Sequence, residues 1–370
     1  MKNGILSAVT IPLILLSYFL SAAAQQIEYK DGVKYIHNDK PKWGDKPGVK
    51  LKFVQTIGGI DEVDEDYIMS EIFDLDVDKN GDIFIIDFGS YRIQKYNSKG
   101  KYRNTIGRAG EGPGEFVMPS AISLDARGNI YVVDGIKVVI INKSGKEIRR
   151  FPIRIRLNDT IRYLDSGKII IGNGWSAGGG KPNPEWIPVF SVLNPNGKIL
   201  DQFGLPELVF LGVNSSGQDT YLVDGRAPFE IDGNGDIFAA YYIKNSIEKR
   251  DITGKVIYQV DRHLNYKIKN YKMENGRTKY PNFVSAGIGI DTRNRIWVLT
   301  VTEQPEVWDR LNPVRMDFAE FEIFDPEGIL LGKVPLPEDT FRFRIIGDRL
   351  FIIGYDRVSV SEYRIVENSH

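Results

Sequence analysis

Between residues 73 and 106 the alternation of apolar and polar positions spells out one unit of structure. Phe73-Asp74-Leu75-Asp76-Val77-Asp78 is followed by Lys79-Asn80-Gly81-Asp82 and then by Ile83-Phe84-Ile85-Ile86-Asp87. Arg92-Ile93-Gln94-Lys95-Tyr96, the turn Asn97-Ser98-Lys99-Gly100 and a last run from Tyr102 to Ile106 complete it. Each run is short, β-branched and aromatic. Each gap carries Asn, Asp or Gly, which tolerate the backbone of tight turns or cap it with a side-chain oxygen. The pattern predicts four antiparallel strands joined by hairpins.

The unit recurs along the chain. A second copy holds Ile122 to Asp134, Val138 to Ile141 and Asn142-Lys143-Ser144-Gly145. A third runs through Tyr163 to Ile171 and Val189 to Leu193, turning at Asn194-Pro195-Asn196-Gly197. A fourth has Phe229 to Phe238, Ile247 to Arg250 and Asp251-Ile252-Thr253-Gly254. A fifth has Ile288 to Asp291, Arg295 to Val298, Phe321 to Phe324 and Asp325-Pro326-Glu327-Gly328. The sixth, Phe343 to Ile346, Leu350 to Ile353 and Val358 to Ile365, stops one strand short.

Ahead of the first copy, Leu51 to Gly58 forms an orphan strand that compares directly with Tyr102 to Gly107. Pairing that orphan with the last copy removes both free edges and closes a ring. The expected fold is all-β: a six-bladed β-propeller of four-stranded antiparallel blades, with the N-terminal strand closing the last blade. The chain then divides into a leader over 1–24, an arm over 25–50, the propeller over 51–366 and a tail over 367–370.

Gly107-Arg108-Ala109-Gly110-Glu111-Gly112-Pro113-Gly114-Glu115-Phe116, with Pro119, Ile122 and Gly128 to Asp134 beyond it, resembles the NHL repeat signature. Asp87 with Arg92-Ile93 resembles its Asp…Arg-Ile element. Over roughly residues 51 to 366 the chain is similar to exported bacterial six-bladed propellers of the NHL type. Many members of that family have no assigned activity, so the resemblance implies a fold more than a function.

Composition narrows the chemistry. With 42% apolar and 26% charged residues the chain is ordinary globular protein. Its 48 basic side chains against 49 acidic ones leave no field to hold a polyanion, so nucleic acid is not an expected partner. There is no cysteine, which removes disulfides, thiol nucleophiles and thiolate metal sites together. Lys2, the apolar stretch Ile5 to Leu20 and the small residues Ser21-Ala22-Ala23-Ala24 make a secretory signal. Cleavage before Gln25 would leave a periplasmic or secreted protein with no stable membrane span.

Asp76 to Ile83, with Asp87 beyond, imitates a calcium loop, but the flanking runs are strands rather than helices. A hairpin turn is the expectation there, with Asp87 and Arg92 forming a salt bridge inside the repeat. His37, His263 and His370 are too scattered for a three-histidine metal site or a catalytic relay. At the positions where inner strands enter the channel, Glu71 is the single acid, while Arg162 and Arg342 suggest an anionic or polar guest.

Loop lengths point to a working surface. The turns joining strands one to two and three to four are tight, and in an up-and-down sheet they emerge together on one face. The remaining connections share the other face, and they include Gly172 to Ile187, Asp201 to Ala227, Val260 to Ala286 and Thr302 to Asp317. These loops carry Trp175, Trp186 and Trp308, together with Arg310 and Arg315, residue types that anchor sugars and partner proteins. The basic run Arg262 to Lys279 reads as a solvated face. The expected function is a non-enzymatic binding propeller that holds a carbohydrate, peptide or protein partner on the long-loop face without a cofactor. The alternative is a lactonase- or lyase-like enzyme with a divalent cation, calcium for instance, in the channel.

Overall fold

The structure, a computed structural model, describes residues 25–153, 160–172, 174–179, 188–213, 216–268, 272–274, 277–279, 283–303 and 319–368. Among the described residues every regular element is a β-strand. Six sheets make six blades around an axis, each with its first strand innermost.

The first blade consists of Ile72–Val77, Ile83–Asp87, Arg92–Tyr96 and Tyr102–Ile106. The second is built from Pro119–Leu124, Ile130–Asp134, Lys137–Ile141 and Glu147–Pro152. Thr160–Tyr163, Ile169–Gly172, Phe190–Leu193 and Ile199–Phe203 form the third. The fourth comprises Phe229–Ile231, Ile237–Ala240, Ile247–Arg250 and Val256–Arg262, and the fifth Ser285–Ile290, Ile296–Val301, Ala319–Phe324 and Leu330–Pro335. Thr340–Ile346, Arg349–Gly354 and Ser359–Glu367 make three strands of the sixth, and Val49–Gly58 supplies its fourth.

That last pairing is antiparallel, with Leu51 opposite Ile365 and Ile57 opposite Val360, as the orphan strand predicts. Each inner strand packs against the next around the whole ring. Six buried apolar clusters follow, one at each interface between neighbouring blades. Burying one large aliphatic or aromatic side chain is worth about 1.5–3 kcal/mol, so these interfaces hold the ring without covalent staples. The second strands explain the unbroken apolar runs of the sequence. Ile83–Asp87 and Ile130–Asp134 are buried along their whole length because a blade covers each face.

The turns share one chemistry. Asp78, Asp125, Asp232 and Asp291 sit in first turns, and Asn97, Asn142, Asn194, Asp251 and Asp325 in second turns. Each accepts through Oδ1 the backbone N–H groups two and four residues ahead. The fourth turn position is left-handed, which is why glycine recurs there (Gly81 φ 83°, Gly100 φ 70°) and why Asn294 at φ 57° is an acceptable replacement.

Glycine has another use between the fifth and sixth blades. A Cβ on Gly287 would lie 2.7 Å from the Phe343 ring, and one on Gly289 3.0 Å from it. The missing side chains leave the space that Phe343 fills.

The arm is more organised than its sequence suggests. Gln25–Lys30 and Val33–Asn38 form a hairpin, and Val33–Asn38 pairs in parallel with Val256–Arg262, extending the fourth blade to six strands. Asn38 Nδ2 then donates to Gly328 O (3.0 Å), and its Oδ1 accepts from Leu330 N–H (2.9 Å). Lys42 and Trp43 N–H donate to the carbonyls of Leu330 and Leu331 in the fifth blade. The chain thus grips the fourth and fifth blades from outside before it closes the sixth.

Candidate ligand face and channel

The two ends of the ring differ as the loop lengths predict. One end carries the short capped turns described above. On the other, the strand Trp175–Gly179 pairs with Asp219–Asp224, which also pairs with Glu207–Val213. This three-stranded sheet is assembled from the connection inside the third blade and the connection leading to the fourth. A small hairpin, Lys272–Glu274 with Arg277–Lys279, lies beside Glu207–Val213. At the base of the insertion Asp224 holds Arg226, whose guanidinium lies 4.1 Å over the Tyr242 ring.

Trp175 belongs to this insertion by its backbone. Its side chain lies outside the described residues, as do Trp186, Trp308, Arg310 and Arg315.

Arg162 and Arg342 are placed in full, on the inner strands of the third and sixth blades. Arg162 is buried, and its Nε donates to Glu230 Oε1 at 2.7 Å while Nη1 donates to Ile161 O. Its charge is therefore met within the chain, by the next blade. Arg342 is partly exposed at the channel mouth, donates to Phe73 O and lies over the Phe73 and Phe341 rings.

The channel below holds charges that the sequence reading missed. Asp74 Oδ2 and Asp76 Oδ2, on the first blade, accept the N–H groups of Ile122 and Leu124 on the inner strand of the second. Ser123 Oγ accepts Tyr163 N–H in the same way, so the first blade caps the inner strand of the second, and the second that of the third. Arg344 of the sixth blade reaches Asp74 at 3.2 Å and Asp76 at 3.6 Å. The signal was a charged residue between apolar neighbours in an inner strand: Phe73-Asp74-Leu75-Asp76, Phe229-Glu230-Ile231 and Phe343-Arg344-Ile345.

Electrostatics in the channel are strongly coupled. Burial raises the Asp76 carboxyl above its ordinary range despite the nearby Arg344. Burial also pushes Glu230 upward, but the Arg162 and Arg344 guanidiniums outweigh it and hold that carboxyl low. Arg344 is itself desolvated, and the attraction of Asp74, Asp76 and Glu230 keeps it firmly protonated. Glu230 Oε2 and Arg344 Nε are buried with no hydrogen-bond partner among the described residues.

The calcium-loop imitation resolves into turn and capping chemistry. Asp78 caps its own turn, while Asp87 Oδ1 accepts the N–H groups of Ser70 and Glu71 and its Oδ2 pairs with Arg92 at 3.0 Å. Among the described residues no group of three or more His, Asp or Glu side chains is arranged to hold a metal ion. The basic run also needs one correction at its start. Arg262 is buried rather than solvated, because Asn245, Ser285, Thr300 and Glu322 surround its guanidinium. It borders a cavity of about 80 Å³ between the arm and the fourth and fifth blades, lined also by Asn38, His263, Glu322, Leu330 and Lys333.

Comparison with known proteins agrees with this architecture. A family model described as a six-bladed beta-propeller, DUF5128, matches residues 62–146. No curated protein matches the sequence significantly. A Bacteroides fragilis protein described as exported has a similar solved structure, with a TM-score of 0.58 at 11% identity over 90% of this chain and 100% of that one. A member of the DUF4221 family from Bacteroides vulgatus is similar at a TM-score of 0.59 and 11% identity, over 87% and 99% of the two chains. The WD40 repeats of RRP9 align at a TM-score of 0.51 with 10% identity, covering 86% of this chain and 99% of theirs. At these identities the likeness is one of fold, and it identifies the chain as a six-bladed β-propeller.

Proposed function

We propose that this chain is an exported, non-enzymatic binding propeller of NHL-like blades that holds a carbohydrate, peptide or protein partner on its long-loop face. The observation that carries this reading is the contrast between the two ends of the ring. One end is reduced to minimal capped turns, and the other supports an inserted three-stranded sheet and a hairpin. Insertions in a repeat fold persist where they do work, and rigid blades present such loops well. Export is supported by the leader pattern of residues 1–24. The similarly shaped protein of Bacteroides fragilis is likewise described as exported.

The test is a ligand screen by thermal shift, followed by hydrogen-exchange mapping of any hit. Protection is expected on the long-loop face, and alanine at a true anchor among Trp175, Trp186, Trp308, Arg310 and Arg315 is expected to cost about 2 kcal/mol of binding. Protection confined to the short turns around Asn97 and Asn142 overturns the reading. Stoichiometric calcium after purification, released together with an enzymatic activity, would instead favour a lactonase- or lyase-like enzyme.

A further inference from the structure

At the channel mouth between the sixth and first blades, four aromatic rings and Arg357 form one shelf, and the Arg342 guanidinium lies over two of the same rings. Phe73 and Phe88 are stacked with centroids 4.3 Å apart, Phe341 meets Phe73 edge-on at 6.3 Å, and Tyr91 lies 6.4 Å from Phe88. The Arg357 guanidinium sits 4.9 Å from the Phe341 centroid and 5.9 Å from that of Phe73. None of the five is fully buried, and Tyr91 is 38% exposed. Across the mouth, Ser120 and Thr160 stand at the starts of the inner strands of the second and third blades.

Two backbone positions make the shelf. Tyr91 and Arg357 both have left-handed backbone, at φ 54° and 58°, and each lies in the connection between the second and third strands of its blade. For residues with large side chains this is a strained conformation, and strain of this kind gathers where side chains are aimed for use. Arg357 spends one N–H group on Glu71, through Nη1, which leaves the rest of its fork for a planar anion.

Several main-chain amides that a peptide strand could use are already engaged. Ser70 and Glu71 N–H are taken by Asp87, Ile72 N–H donates to Arg357 O, and Phe88 N–H donates to Glu71 O. Deeper in the channel the edge amides of Ile122, Leu124 and Tyr163 are capped by side chains of the preceding blades. The groups that remain on offer include ring faces and a guanidinium, which suit the C–H face of a sugar ring that bears a carboxylate.

We infer that this shelf is the binding site for an acidic saccharide, with the sugar ring against Tyr91 and the Phe73–Phe88 pair and its carboxylate on Arg357. The inference rests on the binding-propeller reading and narrows it to one ligand class and one subsite.

Calorimetric titration of the full mature chain with trigalacturonic acid, maltotriose and the tripeptide Ala-Ala-Phe tests it. Trigalacturonic acid is expected to bind and to protect residues 70–73, 88–91, 341–342 and 355–358 from hydrogen exchange, while maltotriose binds about tenfold more weakly or not at all. Arg357→Gln is expected to weaken trigalacturonate binding about tenfold. Tyr91→Asn, which keeps a residue tolerant of left-handed backbone, is expected to weaken it with an unchanged melting temperature. The acidic-saccharide class is overturned if trigalacturonic acid fails to bind, if maltotriose binds as well, or if only Ala-Ala-Phe binds. A footprint elsewhere on the long-loop face overturns this subsite and leaves the broader reading standing, whereas a footprint on the short turns overturns both.

Discussion

Arg162 on the third blade donates from Nε to Glu230 on the fourth at 2.7 Å, and the pair joins two inner strands inside the channel. Arg162→Met leaves Glu230 buried beside Arg344 alone, and removing one partner of a buried pair typically costs about 3–5 kcal/mol. Because Glu230 is held below its ordinary pKa in the folded chain, its pairing stabilises above the usual glutamate range and is lost as pH falls through the lowered value. The penalty of Arg162→Met is therefore expected to be largest near neutrality and to shrink in acid. Denaturant unfolding of both proteins at neutral and acidic pH measures it, and a penalty independent of pH contradicts the assignment.

The Phe343 ring makes a steric prediction. Gly287→Ala places a methyl carbon 2.7 Å from that ring, and overpacking of this kind costs about 1–3 kcal/mol. Combining it with Phe343→Leu is expected to cost less than the sum of the two single changes. Additive penalties in a double-mutant cycle would show that the ring and the glycine do not share this space.

Closure of the ring is tested at Ile57, which is 2% exposed in the cluster between the sixth and first blades. Ile57→Ala is expected to cost about 2–5 kcal/mol. Lys50→Ala, on the same strand but exposed, is expected to change stability by about 0.5 kcal/mol or less. Equal effects at the two positions would mean that the strand contributes no buried side to the blade.

Asn38 binds the arm to the fifth blade through two hydrogen bonds and is 3% exposed. Asn38→Ala leaves a buried carbonyl and a buried amide unpaired, a loss of about 2 kcal/mol. The amide of Leu330 is expected to exchange faster in the variant. Unchanged exchange there would place the arm's grip elsewhere.

The fold was legible because five blades repeat one turn chemistry and all six share a doubly covered second strand. Asp78 and Asn97 mark turns whose caps need only residues two and four positions away, so local sequence suffices to find them. The pairing of Val49–Gly58 with Ser359–Glu367 was legible for another reason, since an orphan strand and an incomplete blade leave a single way to close a ring. The parallel pairing of Val33–Asn38 with Val256–Arg262 carries no turn signal, and nothing local to either strand announces it.

The channel failed for a related cause. Asp74 looks like a polar position in an alternating strand, and its role appears only when Arg344 and the amide of Ile122 arrive from other blades. Arg162 was legible as a channel residue, but its partner Glu230 lies 68 residues away and was not read as facing it. Tyr91 and Arg357 were overlooked because left-handed backbone at a non-glycine residue leaves little mark on composition.

The arm also governs the order in which the molecule can be completed. Asn38 finds Leu330 across 292 residues, and Thr56 finds Ser361 across 305, whereas the first blade is built from hairpins a few residues apart. Contacts between such distant segments are slow to form, because the loop entropy is lost before any contact repays it. The hairpin of the arm, Gln25–Lys30 with Val33–Asn38, forms between neighbours, but its attachments to Val256–Arg262 and Leu330 wait for most of the chain. Closing the ring through Val49–Gly58 accordingly requires the strand Ser359–Glu367, near the far end of the propeller, to be in place.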